Sequence, residues 1–213
     1  MSERYPGYDV LAKRTGPSWN AQTRRVVDQR LAVPREPRFL SASEFETLDA
    51  IASRVTPQPA GRPPIPVAAL IDDRLLRGRQ DGFRGAAMPR EAEAWPRGLR
   101  AIDAEARAQY GLAFHTLSGE RQDAILRRVA AGDAHHQAWR GMPPATFFTQ
   151  RLLSDIVQAY WSHPTAWSEI GWGGPASPRG YVRMGYDRRD PWEAAEARAD
   201  NGVQARRDNR RVR

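Results

Sequence analysis

The chain of 213 residues contains no cysteine and a single lysine, Lys13. Without cysteine it can form no disulfide, no thiolate zinc site and no cysteine-held iron–sulfur cluster, and it cannot attach haem through a CxxCH motif. Long apolar runs are also missing, since none approaches the roughly 18–20 residues that span a bilayer. We therefore expect no transmembrane segment and no redox centre that depends on cysteine.

The N-terminal residues lack the apolar region of a secretory signal. Arg24-Arg25 has the form of a twin-arginine pair, but Asp28 and Arg30 interrupt the apolar stretch behind it and Pro34 ends it. We expect a cytoplasmic protein as encoded. The alternative is a periplasmic protein that is exported by a signal on a partner.

The net charge is +8, and almost all of the positive charge is arginine. Such a balance is found in proteins that bind nucleic acid or anionic membrane surfaces. Through most of this chain, however, the arginines are scattered among acidic residues. Only the last residues form a basic cluster, Arg206-Arg207, Arg210-Arg211 and Arg213, and we expect that tail to be solvated and disordered. A basic helical protein that binds nucleic acid or an anionic surface remains the alternative function.

Apolar residues at helical spacing predict an all-α fold, with no alternating strand pattern of useful length. The clearest start is Ser41-x-x-Glu44, a capping box in which each residue satisfies a backbone amide of the other. Helices are predicted at about 41–56, 66–76, 91–110, 118–132 and 143–163, with one short possibility at Ala21–Leu31. The fold class is an irregular bundle of about five helices with long Pro/Gly-rich loops and extended termini.

Three segments follow from this pattern. Residues 1–38 form an extended N-terminal arm, which either lies on another surface or is disordered. Residues 39–182 form the helical domain. Residues 183–213 form a short helix that begins at Asp190, followed by the basic tail.

No motif typical of catalysis or metal binding stands out. His135 and His136 are adjacent in a loop and point apart, so a surface position is a better interpretation than a metal site. Two pairs, Asp72-Asp73 and Glu91/Glu93, could be posed as paired acids, but helix-surface charge explains them better. The sequence therefore gives no catalytic residue, no bound cofactor and no metal.

The most informative stretch runs from His163 to Pro175 and ends at Tyr181. It combines tryptophans with glycines and prolines, so it cannot be a regular helix. Exposed Trp and Tyr anchor partner surfaces, whereas buried ones stabilise the domain that carries them. Both interpretations stay open, and the same loop can do both.

Three blocks in register resemble the gluconate 2-dehydrogenase subunit 3 family. They are Phe39-Leu40-Ser41-x-x-Glu44-x-x-x-Leu48-x-Ala50-Ile51, then Leu99-x-x-Ile102-Asp103 leading to Gly111-x-x-Phe114-x-x-Leu117-Ser118, and finally Phe147-Phe148-x-x-x-Leu152 with Tyr160, Pro164 and Trp167-x-x-Ile170-Gly171. Order and spacing agree over roughly residues 38 to 182. The family's export leader of the twin-arginine type is not matched here.

The resemblance implies a small, non-catalytic accessory subunit without a cofactor of its own. Its partner would be a large FAD-dependent dehydrogenase of the glucose–methanol–choline type acting on a sugar or sugar acid, with a multihaem cytochrome c as a third subunit. The small subunit would form a heterodimer with the flavoprotein and act in a chaperone-like way in its folding and export. No nucleic acid is expected as a partner.

The candidate contacts with the partner come from the fifth helix and the aromatic stretch after it. They are Phe147, Phe148, Tyr160, Trp161, Trp167, Ile170, Trp172 and Tyr181.

Overall fold

A computed structural model gives the fold and describes residues 3–80, 82, 85–175 and 188–212. Within these residues the protein is all-α, as predicted, with nine α-helices and no strand. The helices are α1 (Ala21–Leu31), α2 (Ala42–Val55), α3 (Val67–Leu76), α4 (Glu91–Tyr110), α5 (Gly119–Ala131), α6 (Pro144–Phe147), α7 (Ser154–Ser162), α8 (Pro164–Trp167) and α9 (Gly202–Asn209). None of these described helices is both long and apolar enough to cross a membrane.

The helix count exceeds the predicted five because α1, α8 and α9 are additional helices and because the predicted fifth helix is divided into α6 and α7. α6 runs into a π-helical segment, Phe148–Leu153, which continues into α7. A π segment has a wider turn than an α-helix, so one hydrophobic stretch becomes three elements. α8 is separate because His163 has an extended backbone and caps it, and Pro164 suits its first turn.

Local signals place most helix ends correctly. Ser41 Oγ accepts a hydrogen bond from the Glu44 amide at 3.4 Å, and Glu44 Oε2 accepts one from the Ser41 amide at 2.8 Å. Gly111 and Gly132 end α4 and α5 in the left-handed conformation, at φ 70° and φ 84°. Pro96 lies inside α4 beyond its first turn, where its missing N–H costs the helix one hydrogen bond.

The described residues fall into two compact units. The central unit is Pro34–Tyr160, and the terminal unit combines Met1–Val33 with Trp161–Arg213. The boundaries of these units differ from the predicted segment boundaries at residues 38 and 182. The division into three segments stays a prediction.

The central unit buries the apolar faces of α2 to α5 that the spacing predicts. Phe147 of α6 contacts two tryptophan rings edge-on, Trp95 at 5.8 Å and Trp139 at 6.0 Å between centroids. The Phe147 ring also occupies the space where a side chain at Gly98 would be, so α4 needs a glycine there. The principal buried positions of the predicted stripes are Leu48, Ile51, Ala52, Ile71, Leu75, Trp95, Leu99, Ile102, Ala106, Ile125, Leu126 and Val129.

The prediction that Asp72 faces water is wrong. Its side chain is buried because it caps the chain segment that leads into α2. The carboxylate accepts the backbone amides of Arg38 at 2.8 Å, Phe39 at 3.1 Å and Leu40 at 2.8 Å. A carboxylate that accepts several amides is stable away from water, because those bonds replace its hydration.

The terminal unit shows that the chain ends are folded together. Its core contains Tyr8, Val10, Trp19 and Val27 from the N-terminal side and Trp167 and Val212 from the C-terminal side. The Ala197 amide donates to the Arg4 carbonyl at 2.8 Å, and Asn209 Nδ2 donates to the Pro6 carbonyl at 3.1 Å.

Two expectations for the C-terminal residues are therefore wrong. Residues 190–193 form a turn, closed by the Glu193 amide on the Asp190 carbonyl at 3.0 Å, and the helix of this region is α9. The tail is not a disordered end over residues 188–212, because Val212 reaches the core of the terminal unit. One buried valine next to the basic cluster is enough to fix the segment, and hydrophobic periodicity over so few residues is too weak to reveal it.

Candidate functional site

The aromatic turn, residues 167–174, follows α8 in the terminal unit. The Trp172 amide donates to the Trp167 carbonyl at 2.9 Å and closes the turn. Gly171 has φ 66°, a conformation that side chains other than glycine rarely adopt. The closed turn leaves Ile170 half exposed, at 50%, and Trp172 nearly so, at 45%.

Trp167 is the buried support of this turn. It is 1% exposed, and its indole Nε1 donates to the Trp161 carbonyl at 2.8 Å. The Trp172 ring meets the Trp167 ring edge-on, with 4.6 Å between centroids. On another side, the Arg30 guanidinium lies 5.8 Å from the Trp167 ring centroid, at cation–π distance. The exposed Trp172 is thus held against a fixed indole.

The carbonyl of Gly173 accepts two side-chain donors from the N-terminal segment. Lys13 Nζ donates at 2.6 Å and Trp19 Nε1 donates at 3.2 Å. The Lys13 ammonium also lies 5.7 Å from the centroid of the Trp19 ring. These donors attach the aromatic turn to a part of the chain about 160 positions away.

Lys13 is an unusual cation for such a place, because its side chain is 1% exposed. Burial lowers the pKa of Lys13 to about 8, and attraction to Glu193 opposes the shift. Desolvation disfavours the charged form of an amine. The single hydrogen-bonded carbonyl and the ring face of Trp19 only partly replace the lost water.

Two glycines allow the N-terminal segment to pack closely on the turn. The place that a Cβ would take at Gly171 lies 2.6 Å from a ring carbon of Tyr5. At Gly174, which has φ 79°, it lies 2.9 Å from the Trp19 ring. A side chain at either position would collide with an aromatic ring, so both glycines are required by contact as well as by backbone conformation.

The predicted contact residues separate into buried and exposed groups. Phe147, Tyr160 and Trp167 are buried, and Phe148 is half-buried. Trp161, Ile170 and Trp172 are exposed, at 38%, 50% and 45%. Tyr181 lies outside the described residues. The three exposed residues belong to the terminal unit, and we call this set the apolar site. Phe147, Phe148 and Tyr160 belong to the central unit.

Sequence reasoning missed the supports of the apolar site, Tyr5, Lys13, Trp19 and Arg30. Their contacts with the turn are long-range, and no local periodicity reports such contacts. A weak signal was available, since Lys13 is the single lysine and Trp19 a lone tryptophan in a polar arm.

A second cluster, of buried ions, lies in the central unit where α4 begins and the π segment ends. Arg151 Nη1 donates to Glu91 Oε1 at 2.9 Å, and Arg74 pairs with both Glu91, at 3.1 Å, and Asp155. Trp95 Nε1 donates to Asp155 Oδ2 at 3.3 Å. Burial raises the pKa of Asp155, and the two arginines act against that shift. The prediction that Glu91 is helix-surface charge is therefore wrong, because Glu91 is part of a buried network.

This network is best explained as a structural one. Two guanidinium groups face two carboxylates, so their charges compensate, and a buried group of this kind is costly to break. Among the residues that the structure describes, no group of three or more His, Asp or Glu side chains is placed to hold a metal ion.

A model of the family described as gluconate 2-dehydrogenase subunit 3 matches residues 42–174, more than half of the chain. The chain belongs to the gluconate 2-dehydrogenase subunit 3 family. Neither a curated protein nor a solved structure matches it. The match ends at Gly174, so it includes α2 to α8 and the whole aromatic turn of this subunit 3 protein. Membership indicates an accessory subunit that forms a complex with other dehydrogenase subunits.

Proposed function

We propose that this subunit 3 protein docks on a large FAD-dependent dehydrogenase of the glucose–methanol–choline type, stabilises it and assists its maturation. The dehydrogenase would act on a sugar or sugar acid. Catalysis and FAD would belong to the large subunit, and a multihaem cytochrome c would be the third partner. The small subunit would accompany the large one to its compartment.

The observation that carries the proposal is the apolar site. Trp161, Ile170 and Trp172 are exposed although the interior of the terminal unit already contains Trp19 and Trp167. The Trp172 ring packs edge-on against the buried Trp167 ring, and the Trp167 indole donates to the backbone carbonyl of Trp161. Aromatic residues held rigidly at a surface lose little conformational entropy on binding, so they make strong anchors.

Support also comes from the distribution of charge around the site. Tryptophan and arginine are the residue types most enriched where interfaces contribute most to binding energy. Here the Arg30 guanidinium lies 5.8 Å from the Trp167 ring centroid and donates to the Ser162 carbonyl at 3.0 Å. The site therefore joins a rigid aromatic surface to a cation that is already positioned.

Co-expression with the large flavoprotein encoded beside this chain tests the proposal. We expect a stoichiometric complex with flavin absorbance, and little soluble flavoprotein when the small subunit is omitted. A flavoprotein that is equally soluble and active alone, and a small subunit that purifies colourless and unbound, would contradict the proposed function.

A further inference from the structure

Four arginines form a basic surface that the family match does not include, two in the C-terminal helix and two directly after it. All are exposed, and among the described residues none of them pairs with a carboxylate. Asp208, the single acid within α9, is engaged elsewhere, by Arg189 Nη2 at 3.3 Å and by Gln204 Nε2 at 2.8 Å. The set, here called the α9 arginines, is Arg206, Arg207, Arg210 and Arg211.

The α9 arginines lie close to the aromatic turn, because one short segment contacts both. The Cγ atoms of Arg206 and Arg210 are within 3.6 Å of the place that a Cβ would take at Gly7. Two residues earlier, the Tyr5 ring packs on Gly171 in the turn. The Tyr8 amide donates to the Tyr5 carbonyl at 3.2 Å, so the segment bends, and Tyr5 and Gly7 cannot be more than about 7 Å apart at Cα.

The charge of the chain is concentrated in the same unit. The terminal unit holds 16 of the basic and 10 of the acidic residues, whereas the larger central unit holds 17 and 15. Most of the net positive charge therefore belongs to the unit that carries the apolar site. A field of one sign beside an apolar anchor favours a partner surface of the opposite sign.

We propose that the α9 arginines bind an acidic surface of the large dehydrogenase subunit, next to the surface that contacts Ile170 and Trp172. This inference rests on the proposed function and adds the chemistry of the partner. Guanidinium groups pair with carboxylates through two parallel hydrogen bonds, and arginine is enriched at protein interfaces. Tryptophan and arginine also occur together where proteins bind membranes or nucleic acids, and the match to a dehydrogenase subunit family favours a protein partner here.

The test reverses charge where no packing is lost. Arg207→Glu with Arg211→Glu changes two exposed side chains and leaves Arg206 and Arg210, whose stems pack on Gly7. The control pair, Arg79→Glu with Arg127→Glu, changes the net charge equally at exposed positions of the central unit. Binding to the purified large subunit is measured between about 50 and about 300 mM NaCl, across the range where screening grows.

We expect wild-type affinity to fall as salt rises, and the α9 variant to bind at least roughly tenfold more weakly at low salt, mainly through a slower association rate. The control should bind within about twofold of wild type. If the α9 variant is poorly folded by circular dichroism, Arg207→Gln with Arg211→Gln replaces it, with a smaller loss expected.

Equal binding by the α9 variant and wild type, or a wild-type affinity independent of salt, would overturn the inference while leaving the proposed function in place. Absence of any complex with wild type would overturn both. Two further probes are double-stranded DNA and vesicles of phosphatidylglycerol in phosphatidylcholine. If either binds wild type at the higher salt and the α9 variant does not, the surface serves that ligand and the inference fails.

Discussion

Lys13 couples the stability of the terminal unit to pH. Its pKa is about 8 in the folded chain, below the ordinary value of a lysine, about 10.4. Between these values the unfolded chain holds a proton that the folded chain has released, so stability rises with pH there. Below pH 8 both forms are protonated, and the full cost of burying the charge is present.

We predict that Lys13→Met abolishes this pH dependence. In wild type, stability between about pH 8 and pH 10 should rise by up to about 1.4 kcal/mol per pH unit. Methionine has a similar length and no charge, so the stability of the variant should lack that contribution. Urea unfolding at several pH values measures the difference between the two proteins. Parallel curves for both would contradict the account of Lys13.

The two tryptophans of the aromatic turn should respond differently to truncation. Trp172→Ala removes an exposed ring, and we predict a stability loss under about 1 kcal/mol together with weaker binding to the large subunit. Trp167→Ala removes a ring that is 1% exposed, and the predicted loss of stability is roughly 3–5 kcal/mol.

Amine-reactive labelling followed by mass spectrometry checks both variants. Lys13 is the single lysine and is buried, so its modification reports opening of the terminal unit. We expect Lys13 to stay protected from labelling in Trp172→Ala and to lose that protection in Trp167→Ala. Rapid labelling of Trp172→Ala would mean that Trp172 belongs to the core and not to the apolar site.

The segment that leads into α2, residues 38–40, depends on Asp72 of α3. We predict that Asp72→Ala costs roughly 2–4 kcal/mol, since it leaves the amides of residues 38–40 without their acceptor. Glu93→Ala is the control. Glu93 forms an exposed ion pair with Arg97, one turn further along α4, and such a pair is worth about 0.3–0.5 kcal/mol. Denaturant unfolding compares them, and similar losses for both would contradict the capping role.

The C-terminal segment beyond α9 contributes to the core through one residue. We predict that Val212→Ala destabilises the terminal unit by roughly 1–3 kcal/mol, because Val212 is 2% exposed. Val203→Ala changes the same side chain at a position that is 81% exposed and should be neutral within about 0.5 kcal/mol. Lys13 labelling rates distinguish the two. Equal rates would show that the tail is not part of the core.

Much of the central unit could be predicted from the sequence. The capping box at Ser41, the glycine ends of α4 and α5 and the apolar stripes are local signals, and local signals fix where helices lie. The division of the predicted fifth helix could not be predicted, because residues 148–153 carry a pattern compatible with either an α-helix or a π-helix. Asp72 and Glu91 were misjudged because their partners are distant in sequence.

The terminal unit was the part least accessible to sequence reasoning. It joins two segments from opposite ends of the chain, so its contacts have no periodicity to detect. Trp167 and Trp172 show the limit most clearly, since both were predicted as partner contacts, yet only Trp172 is exposed. Which ring is buried depends on Trp19 and Lys13, and their position beside the turn is set by the fold as a whole.

Hydrogen–deuterium exchange of this subunit 3 protein, alone and with the purified large dehydrogenase subunit, tests the central claim most directly. We predict slower exchange on binding in residues 161–172, around the apolar site, and in α9, with little change in α4 and α5. No change in residues 161–172 when the two proteins are mixed, or protection confined to the central unit, would contradict the claim that the aromatic turn is the docking site.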